Sequence, residues 1–90
     1  MKEQVHVYYS GCVQGIGFRF TAQRLSEELG VFGWVKNLDD ERVELIAEAS
    51  EDVLRILLSR INDAFNRYIS DTQENWVPAT GEFKDFGVKF

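Results

Sequence analysis

Cysteine, proline, methionine and histidine each occur once in these 90 residues, and each scarcity removes a class of protein. A single cysteine, Cys12, rules out an internal disulfide framework and any cysteine-based zinc site, and it suits a reducing compartment. The single histidine, His6, cannot by itself assemble a metal cluster. No apolar run approaches the ~18–20 residues of a membrane span, and the opening MKEQVHVYY lacks the apolar stretch of a secretory signal. Positive charge is also short: ten Lys and Arg stand against fifteen Asp and Glu, a net charge of −5. That balance opposes non-specific attraction to nucleic acid or anionic lipid. An anion can still be held, but only by a local positive site working against the overall charge.

What is present is enough for one core. Hydrophobic residues make up 44% and aromatics 13%, and a chain of this length buries roughly 60–65% of its unfolded surface. These features predict one soluble cytoplasmic domain spanning residues 1–90, without repeats or linkers. Val5–Tyr9 is β-branched and aromatic, a first strand. Phe18, Ala22, Leu25 and Leu29 share one helical face, and Gly30 can end that helix. Phe32–Asn37 and Arg42–Glu48 predict two strands around the hairpin LDDE, the second alternating buried Val43, Leu45 and Ala47 with Arg42, Glu44 and Glu48. Ser50 can cap a second helix whose apolar stripe is Val53, Leu57, Ile61 and Ala64, flanked by Leu54, Leu58 and Phe65. Asn66–Thr72 is polar and unpatterned. Gln73–Val77 is a weak strand closed by Pro78, and Phe86, Val88 and Phe90 alternate as a last one, a further hairpin partner. The order β-α-β-β-α-β predicts an α+β fold, the ferredoxin-like split βαβ sandwich, with two helices on one face of an antiparallel sheet.

The richest stretch is SGCVQGIGFRF, Ser10–Phe20, where a glycine-rich turn joins the first strand to the first helix. It can be no more than a tight connection with Arg19 solvated. A nucleotide loop fails, because no Lys or Ser/Thr follows Gly15-Ile16-Gly17. A thiolate phosphate cradle fails on spacing: six residues separate Cys12 from Arg19 where five are needed, and Cys12 continues the strand pattern as a small buried hydrophobe. A non-catalytic RNA- or anion-binding module of the same element order is the alternative. QGIGFRF echoes the aromatic strand motif of RNA-recognition modules, but it follows the first strand rather than forming the third, and the acidic charge repels RNA. The remaining reading is an anion cradle. Backbone N–H groups from Gln14 through Gly15, Ile16 and Gly17 to Phe18 converge at a helix N-terminus, and Arg19 adds a guanidinium fork matched to phosphate oxygens.

GCVQGIGFRF resembles the Gly-x-Val-Gln-Gly-Val-Gly-Phe-Arg signature of acylphosphatases. GWVKNLDDERVELIAEA resembles that family's second block, Gly-Trp-Val-Arg-Asn followed by an acidic turn and Val-Glu-x-x-Ala-Glu. The two blocks stand in the family's order and spacing, and the resemblance covers essentially the whole chain, weakening after Phe65. It implies the ferredoxin-like fold and hydrolysis of the carboxyl–phosphate bond of small-molecule acyl phosphates, without metal or cofactor. Similar domains occur inside larger hydrogenase-maturation proteins, but a chain that starts at Met1 and ends in its last strand is expected to stand alone, and to be monomeric. By match to the motifs, Arg19 corresponds to the phosphate-binding arginine, Asn37 to the asparagine that orients the attacking water, and Gln14–Phe18 to the backbone cradle. Three departures stand out: Cys12 replaces a basic residue, Glu41 replaces the usual hairpin glycine, and the Gly-Pro expected near Asn66–Asp71 is missing.

The chemistry is compatible with so few groups. A carboxylate is a good leaving group and needs no general acid, so binding the phosphoryl oxygens and placing water in line are what remain. Asn37 carries both a donor and an acceptor, and its side-chain oxygen can hold that water. Bound phosphate and bulk solvent both remain open as proton acceptor. His6 is expected as hydrogen-bonded scaffold, Asp39-Asp40-Glu41 as a solvated turn, and Arg24 and Lys36 as solvated flanks.

Overall fold

The computed structural model describes all of residues 1–90. In chain order the elements are β1 (Lys2–Gly11), α1 (Phe18–Leu29), β2 (Phe32–Asn37), β3 (Val43–Ser50), α2 (Glu51–Phe65), β4 (Ile69–Pro78) and β5 (Phe86–Lys89). The five strands form one sheet in the order β4-β1-β3-β2-β5. All neighbours are antiparallel except β2 and β5, which run parallel. The ferredoxin-like split βαβ sandwich is therefore what the chain forms, with a mixed sheet. β5 is not a hairpin partner of β4 but closes the opposite edge.

Period-2 alternation decides which face is covered. Val5, Val7 and Tyr9 of β1 and Val43, Leu45, Ala47 and Ala49 of β3 are buried in one cluster with Val35 and Phe86. The helices complete it. α1 contributes Phe18, Ala22 and Leu25, and ends as its sequence predicts: Gly30 takes a left-handed conformation, Gly30 N–H donates to Glu27 O, and Val31 N–H donates to Ser26 O. That pattern satisfies the last carbonyls of the helix. α2 buries Leu54, Leu57, Ile61 and Phe65, with Val53 half-buried and Ala64 exposed. Its stripe is thus rotated from the expected one, because Phe65 stacks on Phe18 at 4.7 Å between ring centroids and fixes the helix azimuth. Ser50 stands at the N-cap in an extended conformation without a side-chain cap bond. Glu51 and Asp52 supply the negative charge that the first turn favours.

Three local expectations are corrected. β4 begins at Ile69, inside the stretch expected to be irregular, since β1 is ten residues long and offers its outer edge to Ile69–Pro78. Without a Gly-Pro break, Asn66 stays in right-handed helical conformation and the chain turns on Tyr68 N–H to Phe65 O. Cys12 is exposed rather than packed. The register of β1 shifts between Ser10 and Gly11, which breaks the alternation just before it. At the hairpin, Glu41 adopts φ 75°, the left-handed conformation usual for glycine, so the turn geometry survives the substitution. Finally, Phe90 lies outside β5 and is exposed.

The uncovered sheet face carries one buried charge. Glu48, on central strand β3, accepts hydrogen bonds from Gln4 Nε2 (2.7 Å), Thr80 N–H (2.8 Å), Thr80 Oγ1 (2.9 Å) and Gly81 N–H (3.0 Å). It thereby holds the segment that crosses from β4 to β5. Burial raises its pKa, but these donors outweigh that and hold the carboxyl below the ordinary value. A depressed folded pKa contributes stability above the unfolded pKa of about 4.3, and that contribution is lost as pH falls through the folded value. Glu48→Gln should therefore cost about 1–3 kcal/mol at pH 7, because buried donors lose a charged acceptor. The gap to wild type should narrow below about pH 4. Urea unfolding of both proteins at pH 7 and pH 3 checks this; a gap independent of pH would contradict it.

Candidate functional site

β1, β2 and β5 run in the same direction, so their C-terminal ends meet at one edge of the sheet. The glycine-rich turn follows β1, Asn37 is the last residue of β2, and Lys89 ends β5 with Phe90 just beyond it. Topology alone brings these separate parts of the sequence together, outside the carboxyl ends of strands where open α/β sheets gather ligands.

Along the turn the backbone alternates in hand. Gly15 has φ 79° and Gly17 φ 80°, while Ile16 between them is not in the positive region. Alternation of this kind turns successive N–H groups toward one point and forms an anion-binding concavity. A Cβ at either glycine would meet nothing within 4 Å, so glycine is required there by its dihedrals rather than by crowding. The N–H groups from Gln14 to Phe20 have no protein acceptor, and the first bond of the helix is Thr21 N–H to Gly17 O at 3.0 Å. Gly17 also stands at the N-cap without a side chain to satisfy the first turn. Seven consecutive backbone N–H groups are thus without a protein acceptor at the start of the helix, where the macrodipole adds positive potential.

Arg19 is half-buried and has no carboxylate partner among the ion pairs of the protein. Its Nη1 donates to Lys89 O at 3.1 Å, and its guanidinium lies 4.7 Å from the centre of the Phe90 ring. These contacts restrain the side chain without neutralising it. Asn37 is also half-buried, and its side chain makes no hydrogen bond to protein, so both its donor and its acceptor are free. Its place is fixed indirectly. Gln14 Nε2 donates to Leu38 O (2.8 Å) and Arg42 O (3.0 Å), tying the turn to the hairpin that follows Asn37.

One cavity of about 150 Å³ collects these parts, lined by Val13, Gly15, Gly17, Phe18, Arg19, Phe20 and Asn37. Of the residues expected from sequence, Arg19, Asn37, Gly15, Gly17 and Phe18 meet there. The side chains of Gln14 and Ile16 do not line it: Gln14 reaches the hairpin and Ile16 packs against the core. Phe20 was missed because a helix-start aromatic carries no signal of its own. His6 belongs elsewhere, bonded to Glu44 at 2.6 Å on the uncovered sheet face, and Arg24 pairs with Glu28 on the helix surface.

Comparisons with known proteins converge on one family. The sequence profile of the acylphosphatase family matches residues 5–88. An acylphosphatase of Caldanaerobacter subterraneus is 33% identical over 89 residues, covering 98% of this chain and 99% of that protein. One from Methylococcus capsulatus is 42% identical, covering 96% and 95%. The crystal structure of acylphosphatase from Bacillus subtilis superposes with a TM-score of 0.89 at 27% identity, covering 98% and 99% of the two chains.

The bridge made by Gln14 can be tested directly. Gln14→Ala leaves the carbonyls of Leu38 and Arg42 without that donor and should destabilise the fold by about 1–2 kcal/mol. By loosening the hairpin next to Asn37 it should also lower kcat on benzoyl phosphate several-fold more than it weakens inhibition by inorganic phosphate. Equal effects on both would show that Gln14 serves the cradle alone.

Proposed function

Because the chain belongs to the acylphosphatase family, hydrolases of small acyl phosphates, we propose that Arg19 and the Gln14–Phe18 backbone hold the phosphoryl group and that Asn37 orients the attacking water. The observation that carries this reading is the run of unpaired N–H groups beside an arginine that no carboxylate neutralises. Backbone donors stay donors at every pH, and in a half-enclosed cavity they stabilise charge developing on the phosphoryl oxygens. Asn37 borders the same cavity with its side-chain oxygen free to accept from water. That water attacks phosphorus and gives up a proton to a phosphoryl oxygen or to bulk solvent, the bond from phosphorus to the carboxyl oxygen breaks, and carboxylate and inorganic phosphate leave. The carboxylate departs with the bonding pair and needs no proton.

We propose further that no metal or cofactor takes part. The cradle and Arg19 already supply the positive field that a cation would bring, and no three His, Cys, Asp or Glu side chains converge as ligands. Residues 1–90 act in this reading as one monomeric domain, built on one core cluster of 18 buried residues. The substrate is a small molecule rather than nucleic acid, in keeping with the net charge of −5. No helix is long and apolar enough to cross a membrane, and a lone exposed cysteine is compatible with the cytoplasm.

Separating the two side chains tests the assignment. Arg19→Lys loses the bidentate fork and should weaken both phosphate inhibition and turnover, by about 2–4 kcal/mol or roughly 30- to 1000-fold in kcat/KM. Asn37→Ala should cut kcat by a similar factor and leave the inhibition constant of inorganic phosphate within about twofold. Benzoyl phosphate hydrolysis in excess chelator, with circular dichroism to verify folding, measures all of these. Normal turnover in Asn37→Ala, or unchanged phosphate binding in Arg19→Lys, would contradict the roles. Loss of wild-type activity in chelator, restored by a divalent cation, would contradict the metal-free reaction.

A further inference from the structure

An acyl phosphate has two ends, and the cradle accounts for one. Phe20 has a side chain that the cradle does not use. This residue follows Arg19 on α1 and borders the same cavity as Arg19 and Asn37, yet it is 60% exposed. It does not belong to the buried face of α1, which is Phe18, Ala22 and Leu25: two residues beyond Phe18 it points about 200° around the helix. Folding therefore gives no reason for a large apolar ring at this position. A cavity of about 150 Å³ holds a body of roughly six heavy atoms. A phosphoryl group and its attacking water fill that space. The substituent on the carboxyl carbon must then leave through the mouth, and Phe20 is the large exposed apolar residue among those bordering the cavity. Phe90, 87% exposed, lies against Arg19, so the guanidinium has aromatic surface beside it as well.

We propose that Phe20 is the contact for the acyl group and makes the enzyme favour acyl phosphates with an aryl or bulky apolar acyl group over acetyl phosphate. The ring presents a flat apolar face on which such a group stacks while the phosphoryl end stays fixed by Arg19 and the backbone. An acetyl methyl is too small to cover it. The inference rests on the phosphate-cradle reading above and adds the substrate class to it.

The test compares kcat/KM for benzoyl phosphate and acetyl phosphate in wild type, Phe20→Ala and Phe20→Trp. Aromatic stacking is worth enough to shift a rate about 3- to 10-fold. The benzoyl-to-acetyl ratio should fall by that factor in Phe20→Ala and be retained in Phe20→Trp. The inhibition constant of inorganic phosphate should stay within about twofold in both, since phosphate has no acyl group to lose contact with. A ratio that does not change in Phe20→Ala, whether both substrates slow equally or neither does, overturns the proposal; a ring serving only to dock a protein partner would give that result. A wild-type protein that hydrolyses neither substrate overturns the cradle reading itself, and the acyl contact falls with it.

Discussion

The shared direction of β1, β2 and β5 is the constraint on which this molecule's function depends. β3 lies between β1 and β2 and runs against both, so the two outer strands of that trio must end at the same edge. β5 adds to β2 in parallel and brings its own end to the same place. A glycine-rich turn, an asparagine and the Lys89-Phe90 segment, far apart in sequence, meet there without any of them needing affinity for the others. The helices cover only one sheet face, and the site forms at the rim where α1 starts.

Electrostatics at that rim runs against the charge of the whole. The protein carries a net charge of −5, and a bound phosphoryl group adds more negative charge. Attraction has to be local. It comes from dipoles that cannot titrate, together with one guanidinium held by a carbonyl and an aromatic ring instead of a carboxylate. A carboxylate partner would hold Arg19 more firmly but would compete with the ligand. The acidic side chains are instead occupied elsewhere: Glu48 fastens the crossing segment, Glu44 bonds His6 and Tyr8, and Asp40 bonds Arg42 within the hairpin.

Much of this was legible in the chain. The spacing of Phe18, Ala22 and Leu25, the stop at Gly30 and the alternation of Val43, Leu45 and Ala47 reflect burial on one face, and burial is what periodicity reports. β4 escaped in part because it is an edge strand held mainly by backbone bonds to β1, and backbone bonds leave no apolar pattern. Cys12 was misjudged because a register shift one residue earlier cannot be seen in a pattern that otherwise continues. At the site, the chemistry of the glycine-rich turn pointed to Arg19 and the glycines as a candidate cradle, whereas Asn37 was singled out only through the family resemblance. The carbonyl of Lys89 against Arg19 was not, since it joins residues 70 apart in sequence. The two hydrogen bonds from Gln14 to the hairpin were hidden for the same reason: a side chain's partner depends on tertiary placement, not on its neighbours.

The central claim is that the backbone from Gln14 to Phe18 is, with Arg19, a phosphate cradle. It is tested most directly by titrating the ¹⁵N-labelled protein with inorganic phosphate and following the amide resonances. The account predicts saturable shifts largest at the amides of Gln14 to Phe18 and at Arg19 Nε, with a dissociation constant equal to the inhibition constant for acyl phosphate hydrolysis. Shifts centred on the uncovered sheet face, or none at these amides while phosphate still inhibits, would contradict it.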